Sequence, residues 1–183
     1  MTTKTLLTIG QYRALDEPAG VRYELDQGEL LVTPSPAPRH NIICGHLYSR
    51  LDAWVRQHDL GQVFYEVDVR LGEDTVRRPD LIFIRRERIE DVDLDQVPLP
   101  IAPDLVIEVV SKHDQPDDLI LKVHQYLRAG VRSVWLMYGK TREAYHYTPE
   151  APQPAVLNAD HGDRLEEPAM LPGFSLPFSE ILP

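Results

Sequence analysis

The stretch "PDLVIEVVSKHD", residues 103–114, decides the fold. From Leu105 to Val110 it is a run of strand-forming apolar residues broken by one carboxylate, Glu108. Near-continuous apolar runs of this length belong to strands covered on both faces. Glu108 therefore stands where a sheet core calls for an aliphatic side chain, and burying its charge alone costs several kcal/mol or forces protonation. The strand predicts a partner for Glu108.

Toward the N-terminus, "RPDLIFI" (78–84) is a second such run, and it opens on the same Pro-Asp-Leu. Asp80 and Asp104 each begin a strand, so either is a candidate neighbour of Glu108. Asp104 lies on the same strand as Glu108, about 13 Å away at the usual rise, too far for both carboxylates to bind one ion directly. It reads as a strand-start residue. If the two strands are adjacent, about 4.8 Å apart, Asp80 and Glu108 converge, with a register the sequence leaves open. Toward the C-terminus, "DQPDDLILKVHQYLRAG" (114–130) is a helix. Asp114 is its predicted cap, Pro116 and Asp117 suit the first turn, and Gly130 ends it. Asp118, Lys122 and Tyr126 recur every four residues and share one face, beside the core-directed Leu119 and Val123. Lys122 can then reach back to Glu108.

Farther out, Thr8 is placed to cap a short helix running to Leu15, and "VRYELDQGELLVTP" (21–34) is a hairpin turning at Asp26-Gln27-Gly28. Apolar residues at Ile43, Leu47, Leu51, Trp54 and Val55 mark a helix from Asn41 to about His58. "QVFYEVDVRL" (62–71) alternates as a single strand, with Val63, Tyr65, Val67 and Val69 on one side and Phe64, Glu66, Asp68 and Arg70 on the other. "SVWLMYG" (133–139) and "REAYHYT" (142–148) are two further strands, and the proline-rich end docks through Phe174, Phe178, Ile181 and Leu182. The class is α/β, a mixed central sheet flanked by helices with an N-terminal helix and hairpin, in a single domain spanning 1–183.

Composition narrows the function. With 43% hydrophobic and 26% charged residues among 183, the chain is an ordinary globular one. It has no apolar run of membrane-spanning length, and its start lacks a cleavable leader, which predicts a cytoplasmic protein. Cys44, the only cysteine, excludes an internal disulfide or an all-thiolate metal cage and reads as a small buried hydrophobe on a helix face. A net charge of −10 argues against nonspecific coating of nucleic acid, and the five arginines within residues 77–88 read as a solvated face.

Two converging carboxylates at the edge of an apolar sheet are ligands for a hard divalent ion such as Mg²⁺. A structural ion pair of Glu108 with Lys122 or an arginine satisfies the same carboxylate without chemistry.

Here the motifs carry a resemblance. "RPDLIFI", followed 28 residues after its aspartate by Glu108 of "PDLVIEVVS", resembles the PD-(D/E)XK nuclease superfamily. The ordered set "YELDQGEL", "RPDLIFI", "PDLVIEVVS", "DLILKVHQYLRAGVRSVWL" and "LPGF" is similar to a bacterial restriction endonuclease-like family, from about residue 8 to 182. The resemblance implies a restriction endonuclease-like core and a Mg²⁺-dependent DNA endonuclease, with Mn²⁺ as a substitute. Asp80 and Glu108 are then the metal ligands. The lysine expected two residues after Glu108 is Val110. Lys122, in a Lys-x-x-x-Tyr arrangement with Tyr126, replaces it by resemblance. Lys112 is the alternative, although at a strand end it points to solvent. Ser111 is kept, and Glu24 and His40 match recurrent family positions, His40 having also the plainer reading of a helix N-terminal residue. A homodimer is implied by two-strand cutting. The competing class is a catalytically silent nuclease-fold module that binds a protein or nucleic-acid partner.

Overall fold

The computed structural model describes residues 6–183. Their elements, in order, are α1 (Ile9–Arg13), β1 (Val21–Asp26), β2 (Glu29–Pro34), α2 (Pro38–Gln57), β3 (Gly61–Tyr65), β4 (Val69–Arg70), β5 (Val76–Arg77), β6 (Leu81–Arg85), α3 (Arg86–Ile89), β7 (Leu105–Val109), α4 (Pro116–Arg128), β8 (Ser133–Tyr138), β9 (Glu143–Tyr147), β10 (Ala155–Asn158), β11 (Arg164–Glu166) and β12 (Ser175–Pro177). Six strands form the central sheet in the order β10-β9-β8-β7-β6-β3. Only β7 and β8 are parallel in it, and α4 makes the crossover such a pair requires. A second sheet, β2-β1-β5-β4, carries the hairpin, and β11 pairs with β12.

The two apolar runs are buried on both faces because each face meets a helix. Leu81 and Phe83 of β6, with Leu105, Ile107 and Val109 of β7, pack on Ile43, Leu47, Leu51 and Val55 of α2. Ile82, Ile84 and Val106 face Leu119, Val123 and Tyr126 of α4. Glu108 is in phase with Val106, so the pleat turns it toward α4. Phe174, Phe178 and Ile181 are buried against the α2 face, with Leu182 partly buried beside them. Glu167 fastens this C-terminal segment by accepting hydrogen bonds from Ser133 Oγ and Trp135 Nε1.

Thr8 caps α1 in a reciprocal capping box with Gln11. The hairpin pairs Asp26 with Glu29, and Gln27 and Gly28 take φ of 49° and 83°, the left-handed pair a two-residue turn needs.

Four expectations are corrected. Residues 62–71 are not one strand: β3 stops at Tyr65, Glu66 takes φ of 50°, and Val69–Arg70 joins the hairpin sheet. Helix α2 begins at Pro38 rather than Asn41, since a proline in the first turn has no N–H to lose. Asp114 does not cap α4; Gln115 holds that position without a side-chain bond, and Asp114 accepts from the Ser111 N–H at 2.7 Å. The arginines at 77–88 are not a free solvated face. Arg77 pairs with Glu24 and Asp26, Arg78 with Glu17 and Asp68, Arg85 and Arg88 with Asp104, and Arg86 with Asp59. Among the described residues, no helix is long and apolar enough to cross a membrane.

Candidate functional site

Antiparallel pairing of β6 with β7 sets Leu81 opposite Ile107. One step beyond that register Asp80 meets Glu108, so the two carboxylates come from adjacent strands at the end of their ladder. Asp80 Oδ2 accepts the Val109 N–H at 2.7 Å and lies 3.0 Å from His40 Nε2, while Arg22 approaches Oδ1 at 3.5 Å. Tyr126, on the α4 face turned to the sheet, donates to Glu108 Oε1 at 2.6 Å. One helical turn earlier, Lys122 Nζ stands 3.5 Å from the same oxygen and 3.0 Å from Glu24 Oε1 on β1.

The structure thus brings together Asp80, Glu108, Lys122, Glu24 and His40 around one cavity of about 220 Å³ that Ser111 also lines, with Tyr126 buried behind Glu108. His40 is both an early residue of α2 and a partner of Asp80, more than the plain helix-end role. Lys112 is exposed and lies outside this cavity's lining, so the cation near Glu108 comes from α4.

The two glutamates divide one lysine unequally. Burial disfavours the charge on Glu24, but Lys122, Arg77 at 3.0 Å and the Arg78 N–H at 2.9 Å hold it below the ordinary carboxylate range. Glu108 has fewer donors. Burial, which Lys122 only partly offsets, pushes its carboxyl from 4.5 to about 7, with Asp80 and Glu24 adding to the rise. Burial also opposes the Lys122 charge, and Glu108 and Glu24 outweigh it, keeping the ammonium proton held more tightly than usual. A divalent cation between Asp80 and Glu108 would supply the positive charge Glu108 lacks. The donors are carboxylate oxygens on a cavity wall, a set that fits a hard ion.

Arg22, Arg77, Gln125 and Cys44 also belong to this neighbourhood, and the sequence did not single them out for it. Gln125 links Arg77, through its Nε at 2.9 Å, to Asp26. Two signals were available: Arg22 is two residues from Glu24 on one strand face, and Gln125 is three from Lys122 on one helix face.

An α/β chain with this mixed sheet, its crossover helix and paired carboxylates at the ladder's end has a restriction endonuclease-like architecture. It superposes with a TM-score of 0.83 on the crystal structure described as "a putative nuclease belonging to DUF820" from Anabaena variabilis ATCC 29413, at 19% identity, covering 96% of this chain and 97% of that one. At that identity the likeness concerns the fold. The sequence pattern of the Uma2 family, described as "Putative restriction endonuclease", matches residues 9–179, and the chain belongs to that family. No curated protein matches it.

Proposed function

We propose that the chain is a divalent-cation-dependent endonuclease that hydrolyses phosphodiester bonds in DNA at the Asp80–Glu108 site. The observation that carries this reading is Glu108 itself: a buried carboxylate, in register with Asp80, pushed up to about 7 on the wall of an open cavity. Perturbed carboxylates of this kind gather at functional sites. Asp80 and Glu108 would hold Mg²⁺, or Mn²⁺ in its place. When bound, the ion would polarise the scissile phosphate and acidify an attacking water.

The protein's own groups do the positioning. His40 and the Val109 N–H fix Asp80, and Tyr126 fixes Glu108 Oε1. Lys122 keeps its proton and offers a permanent positive charge for a phosphate oxygen. Glu24 holds that ammonium in place from the hairpin sheet. A homodimer would present two such sites to a duplex by two-fold symmetry, and a cytoplasmic location is part of the same reading.

The second reading, a silent module, is favoured by the closed ion-pair network in which Lys122 already serves Glu24. Incubating plasmid and single-stranded DNA with the protein and Mn²⁺, beside Asp80→Ala and Glu108→Ala, separates the two. Loss of cleavage by about 100-fold or more in both variants supports the nuclease. Equal cleavage by the variants, or no Mn²⁺-dependent stabilisation of the unaltered protein, sinks it.

A further inference from the structure

Behind Asp80 lies a second group of ligating side chains. Cys44 and His40 are one turn apart on α2, and His40 Nδ1 stands 3.5 Å from Cys44 Sγ. The other ring nitrogen stands 3.0 Å from Asp80 Oδ2. One donor atom from each of the three residues lies within 4.8 Å of the others, and all three residues are buried. We propose that Cys44, His40 and Asp80 form a binding site for a soft divalent cation of the Zn²⁺ and Cd²⁺ class.

Geometry and chemistry agree on that class. Tetrahedral bonds of about 2.0–2.3 Å to sulfur, nitrogen and oxygen separate the donors by roughly 3.3–3.6 Å; the three donor atoms lie within 4.8 Å of one another, and since Cys44 and Asp80 face opposite ring nitrogens, the imidazole shifts so that one of them meets the ion. A sulfur, an imidazole and a carboxylate, with a fourth position open, make a zinc-type set, whereas Mg²⁺ selects oxygen ligands alone. Charge closes as well. A dication with one thiolate, one carboxylate and a neutral imidazole is neutral overall, so the buried site escapes the cost of an isolated charge. Burial holds the free Cys44 thiol above its ordinary value, so it stays protonated without the ion. On binding, a sulfur–metal bond replaces the S–H bond and a nitrogen–metal bond replaces one of the two ring-nitrogen contacts of His40, whose remaining proton stays on the other nitrogen; the displaced protons leave to water, and nothing is oxidised. The ion has a route in, because His40 and Asp80 both line the cavity.

Asp80 belongs to both sites. A soft ion held here withdraws it from Glu108, so Zn²⁺ suppresses cleavage supported by Mg²⁺. That consequence, unlike the site, rests on the nuclease reading.

Titration of the full chain with Cd²⁺, followed by sulfur-to-cadmium charge transfer in the ultraviolet, tests the site without reference to cleavage. Cys44 is the only cysteine, so any such band reports it. The band is expected to saturate at one ion per chain, to vanish in Cys44→Ser, to need about tenfold more Cd²⁺ in His40→Gln, and to survive a large excess of Mg²⁺. No band in the unaltered protein, displacement by equimolar Mg²⁺, or undiminished calorimetric affinity in folded Cys44→Ser overturns the proposal. The first two need no variant. A band with Cd²⁺, together with no Mn²⁺-supported cleavage by protein free of Cd²⁺ and Zn²⁺, upholds the site and defeats the nuclease reading; such cleavage without a band does the reverse.

Discussion

Strand β7 carries a carboxylate at each end, and the two live under opposite regimes. Asp104, just before the strand, has no exposed surface, and its oxygens are met by the Arg85 N–H at 3.0 Å, by Arg85 Nε at 3.0 Å and by Arg88 at 3.0 Å. Glu108, four residues on, has one tyrosine hydrogen bond and a share of a lysine nearer to another glutamate. The first end is satisfied and walled in. The second opens on a cavity and is short of positive charge. One end is itself the Asp of a Pro-Asp-Leu and the other faces the Asp of a second, so the tripeptide alone does not mark a site; the completeness of the surrounding donors does.

The contrast is testable on stability, from the largest effect down. Asp104→Ala removes the buried acceptor that two arginines and a backbone N–H share, and should cost about 3–5 kcal/mol in urea denaturation. A cost under about 1 kcal/mol would erase the distinction. Glu108→Gln should act in the opposite direction. Raised in the folded state from 4.5 to about 7, the Glu108 carboxyl adds stability that is full below 4.5 and is lost as pH rises through 7. The glutamine variant has no such loss, so at pH 8 it should exceed the parent by on the order of 2 kcal/mol, a gain that shrinks toward pH 5. A pH-independent difference would show that Glu108 is as well compensated as Asp104. Tyr126→Phe, which removes the donor to Glu108, should cost about 1–2 kcal/mol in the same denaturation series. Arg88→Ala should cost about 1 kcal/mol or less, because Arg85 keeps its two bonds to Asp104.

Much of this was legible in the sequence because it is local. An aliphatic run with one carboxylate marks Glu108, and helical spacing puts Lys122 and Tyr126 on one face. Choosing Asp80 over Asp104 needed only the strand rise. What escaped depends on chain segments far apart. Nothing near His40 signals its bond to Asp80, forty residues away. The pairing of Arg77 and Arg78 with carboxylates of β1 and the loops requires β5 to align beside β1 in the hairpin sheet. The left-handed Glu66 that ends β3 is invisible because no glycine announces it. Asp114 looked like a cap, yet its side chain turned back to Ser111, a local bond that competes with capping.

The Val109 N–H, given to the Asp80 side chain, has a mechanical consequence. Beyond Leu81 and Ile107 the ladder of β6 and β7 is continued by a carboxylate in place of a peptide carbonyl. Asp80 is a peg at the fork of a zipper: it stops the teeth from closing further and keeps them from slipping. A shift of one residue turns every side chain of the slipped strand to the other face, and a shift of two carries Asp80 past Glu108. The alignment that folds the sheet is thus the same alignment that sets Asp80 opposite Glu108, so once these strands are zipped the carboxylate pair needs no separate step of assembly.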